Sequence, residues 1–276
     1  MSMNNGKLNF VTALPEEARP IVHYYRLKRR HDIHPFPVYE NDNLQLVVTG
    51  IGKTVVATAT GYLAGITKDL QFTAWLNVGI AGSGRYKAGD FVLAHKVTDH
   101  DRQRHFYPTL WFEHSFATAS LVTVEQPVTD YGANELFDME ASAFYPAAMT
   151  FSTAELVQCG KIVSDTREVS IDQITPQVVV QRIEQNLEHI DHVAQALLHG
   201  INTLAADSRG HEEAGILKAK YHFTSAQQFQ LSVTLQKWFA LASESPLQAI
   251  DLANINTAKA LLQELEARIN ELPVNY

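Results

Sequence analysis

The sequence predicts an α/β protein with three layers, α/β/α, around a central mixed sheet, followed by a helical C-terminal appendage. Three observations carry that expectation. Apolar runs of strand length alternate with helix-length segments from residue 8 to about residue 200, the order that builds parallel or mixed sheets through crossover helices. Several of those runs stop in glycine or in an acid, at the strand ends where open α/β sheets carry their sites. Beyond residue 206 strand-type runs cease and helical periodicity remains, which divides the chain into an α/β domain over 1–205 and a helical extension over 206–276.

The elements follow in order. Residues 8–14 read as a first strand, and Pro15 directly after them suits the first position of a helix. Glu16 and Glu17 then fall in its first turn, where acids complement the helix dipole; a carboxylate there also points into the mouth of the sheet, and both roles stay open. The short basic cluster from Arg26 to Arg30 with His31 reads as a solvated helix end. A strand over 44–49 stops in Gly50-Ile51-Gly52, and the segment 54–66 is a buried helix whose Gly61 and Gly65 suggest close packing on the sheet.

The next run, Trp75-Leu76-Asn77-Val78-Gly79-Ile80-Ala81-Gly82, is the stretch around which the chain is organised. It reads as a buried strand that delivers bare backbone to a ligand, because glycine admits an approach that a side chain blocks. A strand over 91–97 follows, then a polar and aromatic loop with His100, His105 and His114, whose spacing matches no zinc pattern. Residues 116–124 form another strand, with a turn at Tyr131-Gly132. From Glu135 a short strand passes into an Ala-rich helix that Pro146 bends or ends. The strand over 156–163 runs out into Ser164-Asp165-Thr166, and 177–199 closes the domain as a helix.

Composition excludes several classes. The 276 residues are 46% hydrophobic with a formal charge of -8, which gives no clustered cationic surface for nucleic acid. The single cysteine, Cys159, forms no intramolecular disulfide and suits a reducing, cytoplasmic compartment. No apolar run approaches the ~20 residues of a membrane span. Two phosphate motifs fail as well: Lys87 stands where a dinucleotide fingerprint beginning at Gly82 and Gly84 needs glycine, and Val47 stands where a Walker A loop ending in Gly52-Lys53-Thr54 needs its first glycine.

Glu17, Glu140 and Asp165 each sit at a strand end, beside the glycine turn. Carboxylates converging on one sheet edge suit glycoside chemistry, in which one acid protonates a leaving group and another activates water.

With Ala13-Leu14-Pro15-Glu16-Glu17, Gly50-Ile51-Gly52-Lys53, Asn77-Val78-Gly79-Ile80-Ala81-Gly82, Gly89-Asp90-Phe91-Val92, His100-Asp101, Asp138-Met139-Glu140-Ala141 and Ile162-Val163-Ser164-Asp165 in this order, the chain resembles the nucleoside phosphorylase and nucleosidase superfamily over about residues 7–200. The branch it is most similar to is the 5'-methylthioadenosine/S-adenosylhomocysteine nucleosidases. The resemblance implies a phosphorylase-like fold, no metal and no organic cofactor, a small-molecule nucleoside as partner, and a homodimer or higher homo-oligomer. It implies that Glu17 activates the attacking water and that Asp165 helps protonate the leaving purine at N7, with Ser164 orienting it. Met139 would pack on the ribose and Glu140 accept from its hydroxyls. Gly52, Asn77, Gly79, Ile80, Ala81 and Gly82 would lie under the sugar and the nucleophile. Ile80 stands where the family carries Ser or Thr, and the segment between Val124 and Asp138 is shorter than the family's base-stacking loop.

Phosphorylases of the six-subunit classes carry arginine where Asn77 stands, and a guanidinium clamps phosphate bidentately. Asn77 therefore favours hydrolysis, with phosphate-dependent phosphorolysis through Arg19 or Arg85 as the alternative. A non-catalytic nucleoside-binding or interaction protein that docks through its C-terminal helices is a third reading. In the extension, residues 206–214 read as a linker, followed by helices over 225–241 and from Ser245-Pro246 to about residue 272. The stripe Leu261, Leu262, Leu265, Ile269 and Leu272 is expected to be buried within a homo-oligomer.

Overall fold

The computed structural model describes residues 6–67, 73–128, 131, 135–242 and 245–271. The chain divides into two compact units, Gly6–Ile201 and, apart from the first five residues, Asn202–Tyr276.

The first unit is built on a mixed sheet. The strands are β1 (Lys7–Thr12), β2 (Lys28–Arg29), β3 (Val38–Glu40), β4 (Leu44–Val48), β5 (Thr73–Ser83), β6 (Phe91–Asp99), β7 (Arg104–Phe106), β8 (Ala117–Thr123), β9 (Glu135–Asp138) and β10 (Val157–Thr166). The helices are α1 (Pro15–Tyr24), α2 (Lys53–Ile66), α3 (Ala141–Met149), α4 (Pro176–Gln185) and the first part of α5 (Leu187–Lys220). β5 is the hub. On one side it pairs in parallel with β1, and the sheet continues through β4 and β3 to β2. On the other side β5, β10, β6, β8 and β9 pair in turn until β9 returns to β5, closing a ring. No local pattern in the sequence signals that closure.

Helices cover both faces. Val11 belongs to the core cluster that includes Val56 and Leu63 of α2 and Phe144 of α3. Its neighbour Phe10 packs on Tyr25 at the end of α1, with ring centroids 5.4 Å apart. Successive strand residues point to opposite faces, so α2 and α3 lie on one side and α1 on the other.

Several expectations change. Lys28 and Arg29 belong to a two-residue strand rather than a helix end, and β7 lies within the stretch expected to be loop; strands this short carry no readable periodicity. Gly61 and Gly65 do not mark a close approach, since a Cβ at either would meet nothing within 4 Å. The helix expected over 177–199 is two, because the Asn186 side chain donates to Arg182 O at 2.9 Å and to Gly89 O at 3.0 Å and ends α4. Residues 206–214 are not a linker but part of α5; polar residues such as the exposed His211 and Glu212 require no break in a helix.

The second unit holds the rest of α5 with α6 (Ser225–Leu241), α7 (Pro246–Ala249) and α8 (Ala258–Glu271). α6 begins with a capping box, in which Thr224 and Gln227 satisfy each other's backbone N–H groups. The helix expected from Ser245 onward is interrupted: Asp251 caps a short 3-10 turn and Thr257 accepts from Ala260 N, which restarts the chain as α8. Leu261, Leu262 and Leu265 are buried in this unit's own core, with Leu231, Leu235 and Trp238 of α6. These three residues are therefore covered by the same chain, and Ile269 packs half-buried against them; residue 272 lies outside the described residues. Among the described residues no helix is long and apolar enough to cross a membrane.

Candidate active site

A cavity of about 200 Å³ opens in the first unit where the loops after β1, β4 and β8 meet β5, β9 and β10. Its lining is Ala13, Leu14 and Glu17; Ile51; Ile80, Ala81 and Gly82; Val124, Pro127, Val128 and Tyr131; Phe137, Asp138, Met139 and Glu140; Ser164, Asp165 and Ile171.

Glu17 is fixed by the turn that precedes its helix. β1 ends at Thr12, Pro15 starts α1, and the Glu17 side chain folds back so that Oε2 accepts from Ala13 N and Leu14 N, each at 2.9 Å. Its Oε1 accepts from Ile80 N, also at 2.9 Å. The side chain is buried, and burial raises its pKa above the usual glutamate value against the pull of these N–H groups and of Lys161. Glu17 is thus both the helix-capping acid and a wall of the cavity.

Gly79 makes this possible. A Cβ there would stand 2.8 Å from Glu17 Oε1, so Gly79→Ala forces the carboxylate away. The expected cost is about 1–3 kcal/mol, read as a lower urea midpoint at unchanged slope.

Asp165 lies at the other end. β10 pairs with β5 in step as far as Val163 opposite Ala81, then carries one extra residue, Ser164, before Asp165 meets Gly82. Adjacent strand residues normally face opposite sides; the bulge lets both Ser164 and Asp165 line the cavity. Asp165 is buried and accepts from the hydroxyls of Ser164 and Tyr131.

Between these ends stands Glu140, at the start of α3. Its Oε1 accepts from Gly52 N at 2.9 Å, and Gly52 takes a positive φ of 109° to present that N–H. Burial, then the Asp138 carboxylate, push the Glu140 pKa up to about 7, against the opposing influence of Lys161. Asp138 is itself tied down by Thr123 Oγ1 at 2.6 Å, Ala141 N at 2.9 Å and Lys161 Nζ at 2.9 Å. Lys161 is 1% exposed; burial opposes its charge, but Asp138 and Glu140 outweigh this and hold its pKa above the usual lysine value.

Of the sequence-derived candidates, Glu17, Ile80, Ala81, Gly82, Met139, Glu140, Ser164 and Asp165 come together around the cavity. Gly52 and Gly79 stand one layer back, each serving a carboxylate. Asn77 does not line the cavity: its side chain donates to Val11 O at 3.0 Å inside the sheet, and its Oδ1 is buried without a partner. Arg19 and Arg85 are exposed and do not line it either. Sequence reasoning missed Lys161, Asp138 and Tyr131. A lysine inside an otherwise apolar strand was a signal for the first, and its position beside Met139 a signal for the second.

No family model and no curated protein sequence matches the chain. Solved structures do. The 5'-methylthioadenosine/S-adenosylhomocysteine nucleosidase of Streptococcus pneumoniae, with the transition-state inhibitor MT-ImmA, is 19% identical with a TM-score of 0.54, over 71% of this chain and 98% of that one. The Arabidopsis thaliana 5'-methylthioadenosine nucleosidase is 19% identical with a TM-score of 0.55, over 71% and 96%. The Streptococcus pyogenes S-adenosylhomocysteine nucleosidase, in complex with 5-methylthiotubericidin, is 18% identical with a TM-score of 0.54, over 68% and 99%. At these identities what is shared is architecture: the chain has the fold of the 5'-methylthioadenosine/S-adenosylhomocysteine nucleosidases.

Proposed function

We propose that this chain hydrolyses the N-ribosyl bond of purine nucleosides of the adenosine type, such as 5'-methylthioadenosine or S-adenosylhomocysteine, and releases the free base. The observation that carries the reading is the pair of buried carboxylates at opposite ends of one cavity, Glu17 over Gly79 and Ile80 and Asp165 beside Gly82. Three residues of extended strand separate these positions, about 10 Å. Carboxylates that activate water across a sugar stand about 6.5–9.5 Å apart, and a leaving group reached through its base adds length.

The chemistry follows from these positions. Glu17, with both oxygens held by backbone N–H groups, takes a proton from the water that attacks the anomeric carbon; its raised pKa makes it a better base than an exposed glutamate. Asp165 hydrogen-bonds the departing base and delivers its proton, so the base leaves neutral. Glu140 holds the ribose hydroxyls, and its anionic form stabilises the oxocarbenium-like charge that develops on the sugar. Met139 packs against the ribose, in the role a flexible thioether suits.

Water rather than phosphate is supported by the lining itself. Among the described residues it carries the carboxylates of Glu17, Asp138, Glu140 and Asp165 and no lysine, arginine or histidine. A phosphate nucleophile entering there would find no cationic clamp.

The deciding experiment is free-base release from a panel of purine and pyrimidine nucleosides that includes 5'-methylthioadenosine, each with and without phosphate. Adenine release indifferent to phosphate is the expected result. Release that requires phosphate assigns phosphorolysis, and binding without any release assigns a nucleoside-binding protein.

The same reading sets a pH dependence. With its pKa near 7, Glu140 is protonated below that pH and loses its anionic grip on the ribose, so KM for 5'-methylthioadenosine rises as pH falls through about 7. Glu140→Gln removes this limb. Stability moves the other way: a folded pKa above the ordinary 4.5 gives a contribution that is fully present below pH 4.5 and is lost as pH rises through about 7. Both slopes are measurable, by initial rates and by denaturant midpoints.

A further inference from the structure

Both oxygens of Asp165 already have donors from within the chain: Ser164 on Oδ1 and the Tyr131 hydroxyl on Oδ2. Ser164 belongs to the same strand, and its hydroxyl also lies 3.3 Å from Ala81 O, so its position is part of the bulge. Tyr131 comes from elsewhere, between β8 and β9. Its ring is buried, with its centroid 5.9 Å from that of Phe137. It lies so close over β5 that a Cβ on Gly82 would stand 2.5 Å from Tyr131 Cε1 and 2.7 Å from Asp165 Oδ2.

An aromatic ring that packs beside Phe137 and gives an O–H to Asp165 has the features by which a purine would be held in that place. The cavity left beside it, about 200 Å³, is below the roughly 300–1,000 Å³ of ordinary ligand pockets. We propose that Tyr131 occupies the leaving-base subsite as an internal competitor, and that a purine enters by displacing its hydroxyl from Asp165.

This rests on the nucleosidase reading for the role of Asp165 as partner of the base. The backbone does not have to yield, since Arg167 Nη2 donates to Tyr131 O at 2.7 Å and holds the main chain while the side chain turns. The competition is also a filter. A base enters only if it offers Asp165 hydrogen bonds and Phe137 an aromatic face in exchange for those Tyr131 gives up, which an adenine, with N7 beside its exocyclic amine, does.

The test is adenine binding by calorimetry to the full chain and to Tyr131→Phe, which keeps the ring and removes the hydroxyl. A competitor that has lost a hydrogen bond to a carboxylate holds its place less well, so Tyr131→Phe is expected to bind adenine about tenfold tighter or more. A second variant, Tyr131→Leu, removes the ring and is expected to tighten binding as well, with circular dichroism showing that both variants fold. Unchanged or weaker binding by folded Tyr131→Phe, or no adenine binding by any of the three, overturns the proposal. Turnover of 5'-methylthioadenosine, followed in parallel, separates the two claims. Tightened adenine binding without base release refutes hydrolysis and leaves the competition standing; base release with adenine affinity unchanged in Tyr131→Phe does the reverse.

Discussion

Asp165→Asn lowers kcat for adenine release from 5'-methylthioadenosine by about 10²–10⁴-fold, the range a positioned proton donor contributes, with little change in KM. The amide is isosteric with the carboxyl group. Its partners, Ser164 and Tyr131, present hydroxyls, which accept as readily as they donate, so the local structure survives. What is lost is the proton. A fall of less than tenfold would mean that the base leaves without help from Asp165. Glu17 offers no equally clean test: its oxygens accept three backbone N–H groups, and glutamine would turn an NH₂ against one of them in either orientation.

Lys161→Met is expected to have the largest effect on stability. The ammonium and the Asp138 carboxylate are 2.9 Å apart with side-chain exposures of 1% and 0%. Removing one partner of such a pair leaves a charge buried without compensation and costs about 3–5 kcal/mol, which lowers Tm by roughly 10 °C in a chain of this size. The double variant with Asp138→Asn should recover much of the loss, because neither charge then remains. Activity reports the same coupling. Lys161 counteracts the rise in the Glu140 and Glu17 pKa values, so in the single variant the Glu140 limb of the KM profile moves to higher pH. Thermal melts and a pH series on both variants measure the two effects; a single variant as stable as the parent would show that the buried pair contributes little to stability.

Much of this was legible in the sequence. The first strand, the glycine strand, the strand–helix passage at Glu135 and the α6 boundaries follow from apolar period and caps. Asp165, Glu140 and Glu17 were legible because strand ends point at a common edge. What was not legible depends on contacts distant in sequence. The ring closes because β9 returns to β5, a pairing no local window encodes. Asn77 looked like a ligand-facing residue, yet it lies opposite Val11 in the β1–β5 pairing and its amide donates to Val11 O. Tyr131 gave no sign of its partner, since Asp165 lies 34 residues away. The interruption before α8 was written locally in Asp251 and Thr257, but the apolar stripe downstream hid it.

The ring has a consequence for how the sheet meets other chains. Five of its strands have no free side along the path that joins them, which leaves two edges among the described residues where a foreign strand could add, the three-residue β7 beside β6 and the far end of the open arm. That end is β2, two residues long, and its Lys28 and Arg29 are both exposed. A short strand of cations is a poor template for intermolecular pairing, because an incoming strand would gain few hydrogen bonds and any second copy would bring the same charge. The basic cluster thus protects this end of the open arm against edge-to-edge aggregation.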